Sequence, residues 1–305
     1  MGREVASMFS VLGSYAFFIV ALSTSLLAGA AAILGALSVL QKQSLIADAL
    51  GHASYPGVVL AFMLFTSRDV SLLLLGAGLA GCLACALIQG LASRSQIQRD
   101  NLLAIMLSGF FGLGLVLKSY IQGNSQYQGA SQAGLRDYIF GQAAFLGAQD
   151  ARRIALVALV CLLLLWLFYR PLRVFLFDPS FAHCLGYRRR ALNLLILLLT
   201  VLIVTLGLRS VGAILMSSLF IAPITSARLY SQRLGCCLGI AAGFGALSAL
   251  GGSAISSLYS GLPTGPAIVL FLSTFYFLSL LLAPRGVVVR RWRQRRAQKG
   301  GLNHA

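Results

Sequence analysis

The chain has 305 residues, of which 58% are hydrophobic and 10% charged, whereas an ordinary soluble domain is about a quarter charged. That balance excludes a soluble globular protein. The 24 Lys and Arg against 7 Asp and Glu give a formal net charge of +17, which in a soluble chain would point to nucleic acid; here the bases lie between long apolar runs and read as the loops of a polytopic membrane protein.

A crossing needs about 20 apolar residues, and breaks are expected at charged or Pro/Gly-containing positions. In chain order this predicts spans at 15–40, 53–67, 71–93, 101–117, 154–169, 191–208, 211–227, 234–257 and 264–284. The first follows Arg3 and is too long for a cleaved signal-peptide core, so it is expected to remain as a span. Segment 139–149 is apolar but brief and is predicted as a half-inserted or external helix. After the fifth span, Asp178 directly before Pro179 reads as the cap of a short helix over about 179–186 that ends at Gly186.

Small residues punctuate the spans. Glycines recur at three- and four-residue steps in GFFGLGLVL (Gly109, Gly112, Gly114) and in LGIAAGFGALSALGG (Gly239, Gly243, Gly245, Gly251, Gly252), a pattern expected to let helix backbones approach closely. Of the cysteines, Cys82, Cys85, Cys161, Cys236 and Cys237 sit in or beside apolar runs, with Cys184 in a loop. The Cys82/Cys85 CxxC lies inside GLAGCLACALI with no second pair or histidine nearby, and reads as packing rather than a metal or redox site. No GxxxxGK[ST] phosphate-binding loop occurs, and the glycines of GAGLAG (76–81) lie inside the apolar run 71–93 rather than in a strand-to-helix turn, so nucleotide hydrolysis is not expected of this chain. With no internal repeat or soluble-domain linker, 1–285 is expected to form one transmembrane domain with a large loop at about 170–190. The remainder, 286–305, reads as a basic cytoplasmic tail, either a topology anchor or a contact for anionic lipid.

Orientation follows from the bases. With the C-terminal end inside, alternation over nine spans places Lys42, Arg94, Arg99, Arg170, Arg173, Arg188, Arg189, Arg190, Arg228, Arg233 and the seven bases from Arg285 to Lys299 on the inner side. Arg3, Arg68, Lys118, Arg136, Arg152, Arg153 and Arg209 fall outside, giving seventeen against seven. The N-terminus is therefore expected outside and the C-terminus in the cytoplasm.

Among the few ionisable residues in apolar segments, Asp48 and His52 in SLIADALGHASYPGVV stand out. Their i, i+4 spacing puts both side chains on one helix face. Counted from Lys42 along a continuous upright helix, His52 would lie about 15 Å deeper, near the middle of a hydrocarbon core about 30 Å thick. Ionisable groups at such depth line a substrate path or a water-filled cavity. Two readings stay open: the pair satisfies itself and locks a helix junction, with Pro56 and Gly57 breaking the next turn, or the carboxylate oxygen and imidazole nitrogen offer transient ligation to Mn²⁺, Zn²⁺ or Fe²⁺. Two ligands are too few for tight binding by one subunit, but two copies around a two-fold axis would bring four together. His183 reads as surface helix packing, His304 as solvated in the tail, and Arg228 as snorkelling to the inner surface.

Several segments then occur in a recognisable order: DALGHASYPG (48–57), RDNLLAIMLSGFFGLGLVL (99–117), YIFGQAAFLG (138–147), FDPSFAHCLGY (177–187), RSVGAILMSSLFIAPITSARL (209–229) and GLPTGPAIVLFLSTFYFLSLLLAP (261–284). Together they resemble the membrane permeases of bacterial ABC importers for manganese, zinc and iron. Departures are small: Ala47 stands where the family often has Gly, and Cys184 and Tyr187 vary a loosely held pattern. The resemblance implies an all-α transmembrane bundle of about eight to nine spans, similar to the vitamin B12 and siderophore permeases, in the bacterial inner membrane. It implies a second permease subunit, a pair of cytosolic ABC ATPases docked inside, and an extracytoplasmic metal-binding protein that delivers the ion. Asp48 and His52 become path-lining metal contacts, and Asp178, Pro179, Ala182, Leu185 and Gly186 a coupling helix for the ATPase. On this reading the chain is a transport subunit and not an enzyme, binds no cofactor of its own, and carries a divalent metal as cargo, with no nucleic-acid partner. An iron-chelate permease of the same fold and an ATPase-independent secondary transporter are the alternatives. The Asp48/His52 pair favours a bare ion over a chelate, and the lack of further buried acids or paired repeats speaks against secondary transport.

Overall fold

A computed structural model describes residues 15–66, 69–124, 146–259, 262–286 and 288. The described residues form eleven helices: α1 (Tyr15–Leu40), α2 (Ile46–Phe65), α3 (Val70–Arg94), α4 (Arg99–Gly123), α5 (Ala148–Leu167), α6 (Tyr169–Phe177), α7 (Pro179–Cys184), α8 (Arg189–Val211), α9 (Ala213–Tyr230), α10 (Leu234–Leu258) and α11 (Thr264–Leu282). Long Leu-, Ala- and Ile-rich runs take this form because hydrocarbon offers no partner to backbone N–H and C=O groups, and the α-helix pairs them within the segment. Seven of the helices are long and apolar enough to cross a bilayer, and α5 with α6, which meet at a 68° bend, would add an eighth.

Each of the nine predicted spans has a helix, but α2, at the second, is not among those long and apolar enough to cross, and several bounds differ. The second span begins at Ile46 rather than 53, and the chain runs helically through Pro56 and Gly57 to Phe65 instead of breaking there. Pro56 removes one hydrogen bond and crowds the preceding turn, but packed neighbours hold such a turn together inside a bundle. Both residues are buried there. Helix α4 continues past the predicted end at 117 to Gly123, and α5 starts at Ala148, six residues before the predicted 154. Residues 139–145 of the predicted helix 139–149 lie outside the described residues, and its last two belong to α5; the tail from Val289 onward also lies outside them.

Helix α1 is the spine. Leu27, Ala28, Ala30, Ala31, Leu34 and Leu37 are buried, and α1 packs against α10, α9, α5 and α8. Helix α9 is almost as central, touching α1, α11, α10 and α2, so residues of α9 can meet residues of α2 inside the bundle. Helices α2 and α3 cross where Gly57 meets Gly76: a methyl group built on either would collide with the backbone of the other. Of the predicted packing glycines, Gly114, Gly245, Gly251 and Gly252 abut a neighbouring helix, whereas Gly109, Gly112, Gly239 and Gly243 face open space. Spacing defines a face; it does not say whether a neighbour covers it.

Candidate functional site

The site begins with the connection between α1 and α2. The chain leaves α1 at Leu40 and turns over Gln41 to Leu45, with Lys42 at a positive φ of 60° and the Gln43 N–H donating to the Ser38 carbonyl at 3.0 Å. Lys42 is therefore not on the helix that carries His52, and the depth counted from it does not apply. Measured from Ile46, the first residue of α2, His52 lies about 9 Å along the axis. Asp48 falls in the first turn of α2, where unpaired backbone N–H groups and the helix dipole favour a carboxylate.

Asp48 and His52 share one face of α2, as the spacing predicts, but each looks to a different neighbour. The Asp48 carboxylate accepts a hydrogen bond from the Ser217 hydroxyl of α9, so its partner comes from another helix rather than from His52. The His52 ring meets Phe111 of α4 edge to face, with centroids 4.8 Å apart. Asp48, His52 and Ser217 are all half-buried, while Ala47, Ala49, Leu50 and Gly51 around them are buried. The polar atoms thus keep access to space that this chain does not fill. Among the described residues no group of three or more His, Cys, Asp or Glu side chains converges as a metal site, so one chain brings one carboxylate and one imidazole.

The loop helix forms as its caps direct. Asp178 caps α7, its Oδ1 accepting from Ser180 N–H at 3.0 Å and Phe181 N–H at 2.9 Å, and Pro179 fills the first position, where no N–H is needed. The far end closes with Gly186 N–H on the His183 carbonyl and Tyr187 N–H on the Ala182 carbonyl, both at 3.0 Å. Gly186 has φ 81°, the left-handed geometry this closure requires. Ala182 and Leu185 part company: Ala182 is fully buried and joins the main core, whereas Leu185 is 52% exposed. Phe181, 53% exposed, forms an i, i+4 apolar stripe with Leu185, while Phe177, 65% exposed, ends α6 and is set off from α7 by the extended backbone of Asp178. His183 lines a cleft beside α7 with Pro179, Ser180, Cys184 and Arg189.

Sequence reasoning missed Ser217, Phe111 and Phe181. Ser217 carries a weak signal, a Ser-Ser hydroxyl pair within the apolar run 211–227; the two phenylalanines are indistinguishable in sequence from ordinary apolar residues.

Three relatives show the company the chain keeps. It is 39% identical over 277 residues to the manganese transport system membrane protein of Bacillus subtilis, an alignment covering 90% of this chain and 63% of that protein. It therefore spans just under two thirds of that relative's length. It is 35% identical over 291 residues to the zinc transport system membrane protein of Treponema pallidum, covering 95% of this chain and 97% of that one. The fold matches PsaBC from Streptococcus pneumoniae, solved in complex with a Fab, with a TM-score of 0.78 at 28% identity over 94% of this chain and 99% of that chain. The family model for the ABC 3 transport family matches residues 14–283, and on that match, which takes in all the described helices, the chain belongs to the ABC 3 transport family.

Proposed function

We propose that the chain is the membrane permease subunit of an ATP-driven importer that moves a divalent transition metal, Mn²⁺, Zn²⁺ or Fe²⁺, into the cytoplasm by alternating access. The observation that carries this reading is the half-buried carboxylate and imidazole of Asp48 and His52 on one face of α2, inside a bundle whose other buried polar residues are uncharged. Buried ionisable groups are expensive in a membrane and mark ion pathways, and the names of the relatives, manganese and zinc transport system membrane proteins, agree with an oxygen-plus-nitrogen donor pair.

Two copies, or this chain and a second permease, would meet so that two such pairs face one path. Asp48 and His52 then ligate the ion in passing, weakly enough to release it. The metal is cargo, the chain holds no cofactor of its own, and ATP is hydrolysed by a separate cytosolic pair of ATPases that grips α7 and its apolar stripe. A metal-binding protein outside delivers the ion. The excess of bases in the segments that the nine-span alternation assigns to the inside favours a multi-pass protein of the bacterial inner membrane with N-terminus outside and C-terminus inside.

Uptake of radiolabelled manganese and zinc by cells expressing the whole importer tests the path. Asp48→Ala and His52→Ala each bring uptake to background while the permease still co-purifies with its ATPase; undiminished uptake in both variants would remove these residues from the path.

A further inference from the structure

We infer that Ser217 supplies a third donor, an oxygen, to the cation held by Asp48 and His52, and that its single hydroxyl proton moves between two acceptors as the cation comes and goes. The inference rests on the metal-path reading of Asp48 and His52 and extends it to a second helix.

A serine hydroxyl has one proton to donate and two lone pairs with which to accept. Ser217 has two acceptors in reach: the Asp48 carboxylate of α2 and the carbonyl of Ala213, one turn back on its own helix, at 3.0 Å. With no cation, the proton goes to Asp48 and satisfies a half-buried carboxylate. When a cation takes the carboxylate, the proton turns to Ala213, whose carbonyl has a second lone pair to receive it, and the freed lone pair of Oγ points at the ion. No donor is stranded in either state, so the exchange avoids the cost of a buried unpaired group.

The geometry suits this. Metal–oxygen bonds of about 2.0–2.2 Å put two adjacent ligand oxygens roughly 3 Å apart, and Oγ and the Asp48 carboxylate are already in direct contact. The cation must displace a hydrogen bond to bind, which weakens its hold and suits a site that releases what it binds. Because Asp48 is on α2 and Ser217 on α9, relative movement of these helices would take the donor set apart. The neighbouring Ser218 bonds back to Ile214 at 2.9 Å and, with no other side-chain partner among the described residues, provides a control.

Replacing the hydroxyl oxygen by sulfur tests for a ligand, since thiolate and thiol donors prefer soft cations. With the complete importer in cells, manganese uptake is measured against added Cd²⁺ for the wild type, Ser217→Cys, Ser217→Thr, Ser217→Ala, Ser218→Cys and Asp48→Ala. Cd²⁺ is expected to become roughly tenfold more effective as a competitor for Ser217→Cys, with Ser217→Thr near wild type and Ser218→Cys unchanged. If Ser217→Cys keeps the wild-type ratio of Mn²⁺ to Cd²⁺, or responds as Ser217→Ala does, Ser217 is not a ligand. In that case Asp48→Ala separates the two readings: lost uptake leaves the path assignment standing alone, and retained uptake overturns both.

Discussion

A carboxylate within a bundle of apolar helices needs an explanation at the level of its own atoms, and Asp48 has two. It sits in the first turn of α2, where the helix dipole contributes about 0.3–1 kcal/mol to a negative charge, and it accepts a hydrogen bond from Ser217. His52 gains an edge-to-face contact with Phe111, an arrangement worth about 0.5–1.5 kcal/mol beyond area burial. The helix face shared by Asp48 and His52 is legible in sequence because an i, i+4 relation is local. The partner of Asp48 is not, because Ser217 lies 169 residues away. Glycines follow the same division. At the α2–α3 crossing, Gly57→Ala and Gly76→Ala each force two backbones apart and are expected to destabilise the permease by about 1–3 kcal/mol. Gly109→Ala, whose new methyl would meet nothing within 4 Å, leaves stability unchanged; thermal unfolding of the three variants in detergent reads the difference.

Among the elements, α7 shows how a six-residue helix can be specified almost completely by its ends. Asp178, Pro179 and Gly186 each perform the capping role that their residue types suggest. What the caps leave open is which side chains face outward. The core takes Ala182 and leaves Phe181 and Leu185 as an exposed stripe. Phe181→Glu and Leu185→Glu should therefore abolish co-purification of the ATPase while leaving the permease's own melting temperature within a few degrees of wild type. Ala182→Glu places a charge in a fully buried position and should lower that melting temperature instead. Intact ATPase binding by both stripe variants would exclude this face as the docking surface. Helix α2 carries the opposite lesson: a Pro-Gly pair that reads as a break in isolation stays helical, because the surrounding bundle buries that turn and holds it in place.

For the molecule as a whole, orientation is the property with the widest consequences, and native thiols can report it. Cys184 and Cys236 are exposed whereas Cys85, Cys161 and Cys237 are buried. With the C-terminus inside, Cys184 beside α7 lies on the cytoplasmic side. In a Cys236→Ser background, a membrane-impermeant maleimide should label it in inside-out vesicles and not in intact spheroplasts, with the Cys184→Ser/Cys236→Ser double variant as the blank. Labelling in spheroplasts alone would invert the topology. The ion pair of Asp150 with Arg209, at 3.0 Å, ties the start of α5 to the end of α8, and the same orientation would put it on the outer side.

Membrane residence, the approximate set of spans, the caps of α7 and the Asp48/His52 face were all readable from residue types and spacing. These depend on hydrophobicity, helical period and local backbone geometry, none of which requires knowing what lies opposite. The start of α2 at Ile46, its passage through Pro56, the inward turn of Ala182, the choice among the glycines and the meeting of Asp48 with Ser217 required the packed bundle. Each of these is settled by what a neighbouring helix brings to the contact, and in a chain of near-uniform apolar helices the sequence carries little that says which helices will be neighbours.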